Sequence, residues 1–211
     1  MRVKIEGSSG IVAVVAAMTA HKTSAGVQQM ACAALCNLTA NDDNLRVAVA
    51  AAGGIEAIVA AIEAHTTIAG VQEMACRALA NLAFNPANLV AVAKAGGIEA
   101  VLSAMQADKT SALLQEMACG ALMNLTVNVE NTDVVAAAGG IEVLATAMKT
   151  HQSSALLQEY ACVALLHLAC NGSLERIKAA GGVELAKRAV SASDATASTK
   201  DRGKRLLELL A

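Results

Sequence analysis

The stretch Val71 to Asn85, VQEMACRALANLAFN, spaces its apolar residues three and four apart and sets Glu73, Arg77 and Asn81 on a separate face. That spacing is the signature of an amphipathic helix. Much of it recurs as LLQEMACGALMNLTVN from Leu113 and as LLQEYACVALLHLACN from Leu156, and an earlier copy, VQQMACAALCNLTAN, begins at Val27. Leu79 and Leu82 match Leu122 and Leu125, and with Ala75, Cys76 and Ala78 they form a core stripe. Met30, Met74 and Met117 are expected to fill the same core.

The unit from Asn85 to Asn128 parses into three helices. Asn85–Ala95 is a short first helix with Pro86 in its first turn. Gly96 and Gly97 break it and permit a sharp corner through positive φ. Ile98–Ala107 is the second helix, with Glu99 near its positive end. The link DKTSA offers Thr110 or Ser111 as a cap for a long third helix, Leu113–Val127. Asn128 is expected as a left-handed helix stop, as are Asn41, Asn85 and Asn171. His21, His65 and His151 share one slot at the end of the second helix, where an imidazolium suits the dipole.

The unit recurs in phase. Gly-Gly pairs stand at Gly53–Gly54, Gly96–Gly97, Gly139–Gly140 and Gly181–Gly182, within AGGIE three times and AGGVE once. Periods of roughly 40 to 47 residues carrying only helical patterns belong to stacked solenoids, in which each unit needs a neighbour to bury its apolar face. The expected organisation is a leader over residues 1–9 and an array over 10–190, with units near 10–41, 42–85, 86–128 and 129–171 and the start of a fifth at 172–190. Residues 191–211 are expected as a loop and a C-terminal capping helix, amphipathic from Lys200 to Leu210. The first unit enters directly at its second helix, so self-association through the uncapped N-terminal end is one way to cover its apolar flank.

Composition narrows the functional classes. Apolar residues make up 55% of the chain, yet it holds no Trp, one Tyr (Tyr160) and one Phe (Phe84). Net charge is −2, with no excess of Lys and Arg to meet phosphates and no aromatic platform for bases, which argues against a nucleic-acid partner. The run Ala78 to Ala93, which lacks Asp, Glu, Lys and Arg, is interrupted by Asn81, Asn85, Pro86 and Asn88 and is short for a membrane span. MRVK followed by IVAVVAAMTA mimics a signal peptide, but GIVAVVAAMTAH aligns with GIEAIVAAIEAH inside the array, and the repeat explains it better. Cys32, Cys76, Cys119 and Cys162 occupy one slot per unit, a whole unit apart, too far to bridge. All six cysteines are expected as reduced thiols, which points to the cytoplasm, with the nucleus as the alternative.

The pattern VQE-AC-AL-NLA-N in the third helix and aaGGIe in the second resembles the armadillo repeat, in four phased copies from about Gly10 to Leu210. The related HEAT class, with two helices per unit and no Gly-Gly corner, is the alternative. The resemblance implies an all-α, right-handed superhelical α-solenoid of about four armadillo-type repeats plus a C-terminal capping helix. It also implies that the third helices line a concave groove, where an asparagine holds the backbone of an extended peptide. Here that face reads Gln29–Ala33–Asn37, Glu73–Arg77–Asn81, Glu116–Gly120–Asn124 and Glu159–Val163–His167. Importin-like repeats often carry Trp where this chain has Ala33, Arg77, Gly120 and Val163, so recognition of nuclear localisation signals does not carry over.

The candidate groove residues are therefore Asn37, Arg77, Asn81, Asn124, His167, Glu73, Glu116 and Glu159. An amide offers both donor and acceptor to a peptide bond, and the glutamate row favours an extended protein or peptide segment, neutral to basic. Two other roles stand beside this one. The asparagines equally suit bonds between neighbouring units, and the glutamates suit a solvated face with Glu73 paired to Arg77 at i,i+4. No nucleophile, base and oxyanion donor converge, and no catalytic residue, metal or cofactor is expected; His167 and Cys170 could touch at i,i+3 but lack a third partner. The expected function is a non-enzymatic peptide- or protein-binding scaffold, with a structural armadillo module of a larger protein as the alternative.

Overall fold

The computed structural model describes residues 7–211. The first pair of helices is α1 (Gly7–Ala20) and α2 (Ala25–Thr39). Three full units follow: α3 (Asp43–Ala51), α4 (Gly54–Ala64) and α5 (Ala69–Leu82); α6 (Pro86–Lys94), α7 (Gly97–Ala107) and α8 (Ala112–Leu125); α9 (Val129–Ala137), α10 (Gly140–Thr150) and α11 (Ala155–Cys170). The last three helices are α12 (Leu174–Ala179), α13 (Gly182–Ser191) and α14 (Ala197–Leu210). The described residues are helices and short links, without strands. The fold is an all-helical solenoid in which α2, α5, α8, α11 and α14 stack side by side as one wall. The leader expected over residues 1–9 lies outside the described residues as far as residue 6; from Gly7 the chain is already helical.

The terminal helix α14 packs on both α11 and α13, in the place a third helix takes in the other units. It buries Leu206 and Leu210 and turns Lys200, Lys204 and Arg205 to solvent.

The core is the stripe the periodicity indicated. Ala75, Cys76, Ala78, Leu79 and Leu82 are all fully buried, as are Ala118, Cys119, Leu122 and Leu125 one unit on. Each fully buried leucine contributes roughly 1.5–3 kcal/mol by removal from water. The methionines do not belong to it. Met30 is 70% exposed, and Met74 and Met117 are half-buried, because their slot lies next to the glutamate row on the open face of the wall.

A second device sits inside each unit. Gln28, Gln72, Gln115 and Gln158 are buried at one slot near the start of the third helix. The Nε2 of Gln72 donates to the Ile62 and His65 carbonyls at 2.8 Å each, and Gln115 does the same to Met105 and Asp108 at 2.7 and 2.8 Å. Gln28 and Gln158 repeat the pattern on Met18 and His21 and on Met148 and His151. Each glutamine thereby satisfies carbonyls that the end of the second helix leaves open, and fixes the angle between second and third helices.

The corners need two different properties of glycine. The first of each pair is left-handed: Gly53 and Gly96 have φ 78°, Gly139 80° and Gly181 87°. The second has ordinary φ and is needed for closeness instead. A Cβ on Gly97 would stand 2.6 Å from Val92 Cγ1 and 2.9 Å from the Val92 carbonyl oxygen. The expectation of positive φ at both glycines is thus corrected. The corner bends α3 against α4 by 72° and α6 against α7 by 70°.

Asn85 and Asn128 are not left-handed stops either. Both are extended (φ −86° and −82°) and cap the helix that follows, accepting from the backbone N–H of Ala87 and of Asn131. Asp42, not Asn41, does this for α3. After Asn171 (φ −109°) the positive φ falls on Gly172. Among the described residues only glycines have positive φ.

All six cysteines are free thiols; Cys32, Cys36, Cys76, Cys119 and Cys162 are buried and Cys170 is exposed. Burial pushes the thiols of Cys32, Cys76 and Cys162 up to about 12, and that of Cys119 upward as well.

Gly96→Ala is expected to cost about 1 kcal/mol, the strain of a Cβ in left-handed backbone with open space around it, whereas Gly97→Ala costs more because backbone and Val92 must move; chemical denaturation midpoints rank the two. Raised thiol pKa values mean that the unfolded chain ionises first, so stability is complete below about pH 9 and falls as pH rises toward 12. A melting series from pH 8 to 11 reads this, with a shallower fall expected in Cys32→Ala/Cys76→Ala. In the native protein at pH 8 a maleimide is expected to label Cys170 alone.

Candidate functional site

All eight candidates lie on the wall of third helices. Asn37 is exposed on α2, Arg77 is exposed on α5, and Glu73, Asn81, Glu116, Glu159 and His167 are half-buried. Asn124 is only 8% exposed. A groove of about 230 Å³ brings together Arg77, Asn81, Glu116 and Asn124. Asn37, Glu73, Glu159 and His167 are on the same wall outside this groove.

The asparagines are tied to the stack. Asn81 Nδ2 donates to the Cys36 carbonyl at 2.9 Å, and Asn124 Nδ2 to the Ala80 carbonyl at 3.0 Å. In each case the acceptor is the residue just before the asparagine slot one unit earlier. His167, in the same slot, ties to the preceding unit through its Nδ1, 3.0 Å from Thr126 Oγ1. Burial lowers the pKa of His167, and the charge of Arg202 lowers it further. At Asn81 the same Nδ2 also lies 3.4 Å from Cys36 Sγ, so both asparagines spend donor capacity on the stack, and an amide oxygen can only accept.

The glutamates have a structural use that the sequence reading did not foresee. Ser111 caps α8, Ser154 caps α11 and Thr196 caps α14. The Ser111 hydroxyl donates to Glu73 at 3.0 Å, that of Ser154 to Glu116 at 2.9 Å, and that of Thr196 to Glu159 at 2.7 Å. Each carboxylate therefore fixes the cap of the next third helix through one oxygen and keeps its charge on the wall. Glu73 is not ion-paired with Arg77 among the described residues; the pairs are Arg46–Asp43, Arg176–Glu142 and Lys178–Glu175.

The histidines of the second-helix ends also tie units together. Nε2 of His65 meets the Lys22 carbonyl and Nε2 of His151 the Lys109 carbonyl, both at 2.8 Å; a nitrogen facing a carbonyl is the protonated one, so each donates. Among the described residues no three His, Cys, Asp or Glu side chains are grouped to hold a metal ion. No single described helix is long and apolar enough to cross a membrane.

Apolar groups complete the groove. Phe84, Met117, Gly120, Met123, Leu156 and Tyr160 line it with the four candidates. Phe84 is 57% and Leu156 46% exposed. Three larger hollows, of about 410, 330 and 290 Å³, lie elsewhere: between α7 and α10, between α1 and α4, and around Thr66, Thr67 and Asp108. The first two mix alanine, threonine and methionine with Gln, Lys and Glu side chains, and none of the eight candidates lines any of the three.

Residues 42–84 match the family model of the Armadillo/beta-catenin-like repeat. No curated protein matches the sequence. Among solved structures, an engineered protein is 30% identical with a TM-score of 0.81, over 96% of this chain and 48% of that one, so this chain spans about half its length. A set of computationally designed armadillo repeat proteins for modular peptide recognition is 19% identical, TM-score 0.81, over 98% of this chain and 88% of that one. A designed armadillo repeat protein in complex with the peptide (KR)4 is 18% identical, TM-score 0.78, over 98% and 87%.

Asn81→Ala with Asn124→Ala removes two hydrogen bonds between units, and a loss of about 1 kcal/mol for each is expected in urea melts. Glu116→Gln keeps an acceptor for Ser154 and is expected to leave the melting midpoint nearly unchanged.

Proposed function

We propose that this chain, in which residues 42–84 match the armadillo repeat model and the fold is that of designed armadillo repeat proteins, uses its wall of third helices to bind an extended, neutral to basic peptide or protein segment without catalysing a reaction. The observation that carries this reading is the groove itself. It gathers Arg77, Asn81, Glu116 and Asn124 at one place on the wall, with apolar side chains between them. Glu73, Glu116 and Glu159 repeat along the stack and supply a row of like charge that meets basic side chains. The fold's likeness to a designed protein held with (KR)4 is consistent with such a ligand. Free thiols suit the cytoplasm or the nucleus.

A second reading rests on a specific observation. Asn81 and Asn124 each spend a donor on the preceding unit, and each glutamate of the row spends an oxygen on a helix cap. Those bonds are what a purely structural module of a larger protein needs.

The test is fluorescence anisotropy of dye-labelled (KR)4 with the native chain, against an (ED)4 control. Saturable binding of (KR)4 that weakens with salt is expected, with roughly a tenfold loss in Glu116→Gln/Glu159→Gln, about 1.4 kcal/mol. Binding that is equal for both peptides, or unchanged in the variant, removes the glutamate row from recognition. No binding of (KR)4 or of any library peptide leaves the structural reading in its place.

A further inference from the structure

The chain's single phenylalanine and single tyrosine line the same groove, although 76 positions separate them in sequence. Neither repeats along the array. In the third helices, the slot of Phe84 holds Ala40, Val127 and Cys170, and the slot of Tyr160 holds Met30, Met74 and Met117. Gly120 faces the tyrosine: a Cβ there would lie 3.4 Å from Tyr160 Cδ2 and Cε2, at ordinary van der Waals contact. The Phe84 ring is held from α3, with the Arg46 guanidinium carbon 5.4 Å from its centroid. Met117 and Met123 lie between the two rings along α8, half-buried, and Leu156 closes the rim. Unbranched thioethers adapt to differently shaped apolar partners.

Polar groups stand at the edges. Glu116 lines the pocket, and Glu159 directly precedes Tyr160 on α11; burial, with the charges of these two carboxylates, raises the pKa of the Tyr160 hydroxyl. Arg77 stands on α5, the opposite side.

The geometry points to a hydrophobic anchor site: the Phe84–Met117–Met123–Tyr160 pocket receives one bulky apolar side chain, of the Leu, Met or Phe class, from an extended peptide that carries a Lys or Arg beside it to meet Glu116 and Glu159. The inference rests on the groove being a peptide site. It adds that affinity comes chiefly from the anchor, and that the row of charge mainly sets direction and register. Such division is common where a few buried anchors carry most of the binding energy.

The chain has one Tyr and no Trp, so tyrosine emission reports on this pocket alone. The experiment selects random dodecapeptides on the full chain and measures winners free of Tyr and Trp by that emission. Winners are expected to share one bulky apolar position with an adjacent basic residue, and replacing that position by Ala is expected to cost at least tenfold in Kd. Phe84→Ala and Tyr160→Met place in each slot a residue that other units already hold there. Using a dye-labelled peptide, each is expected to weaken the anchored peptide about tenfold and its alanine version less than twofold. Winners that are basic without a fixed apolar position, or equal losses for both peptides in both variants, overturn the anchor site while leaving the groove as a peptide site. A selection that returns nothing overturns both.

Discussion

Each third helix between the two ends of the array has two apolar flanks, and neither can be buried within its own unit. The stripe of Ala75, Cys76, Ala78, Leu79 and Leu82 reaches full burial because α5 is sandwiched between α2 and α8. Every other feature depends on that stacking. It makes one continuous core from units too small to have their own, and it sets the exposed sides of the same helices in line as a wall. Cys32, Cys76, Cys119 and Cys162 are fully buried because the stacked helices come close there, and a small apolar group is what fits.

Stacking by apolar contact alone would allow units to slip. Polar bonds between units prevent it, and they are spaced over the length of the interface. At one end of the third helix a glutamate takes the capping hydroxyl of the next unit, and at the other an asparagine donates to the carbonyl one unit back. The second-helix histidines add a third tie at the links. Of these groups, Asn81 and the glutamates are half-buried on the wall itself. The stacking role suits any side chain that can still bond across units: in the asparagine slot His167 keeps such a tie, to Thr126 Oγ1 at 3.0 Å.

What the sequence disclosed follows from which forces repeat. The apolar period, the Gly-Gly corners and the buried cysteines recur in every unit, so helix order and core could be read directly. Asn85 and Asn128 were misread because a residue between two helices can end one or begin the next; Pro86, which prefers a first helical position, was the available signal. The buried glutamines were also in view, as a polar residue fixed inside an apolar run in all four copies, but their bonds to second-helix carbonyls need the corner geometry. Two glycines in one corner differ only in three dimensions. The methionine row lies one step round the helix from the glutamates, too near the boundary of the stripe for periodicity to place it. The meeting of Phe84 with Tyr160 had no signal at all, because the two occupy unlike slots on α5's end and α11.

The central claim is that the wall serves both the stack and a ligand, and a side-chain NMR titration tests it most directly. With 13C-methyl methionine and 15N-labelled side-chain amides, the native chain is titrated with (KR)4 or a selected peptide. The account predicts progressive shifts at Met74, Met117, Met123 and the Asn81 and Asn124 amides, while Met18 and Met105, in the hollows between second helices, stay still. Shifts that concentrate at Met18 and Met105, or none at the wall under saturating peptide, contradict it.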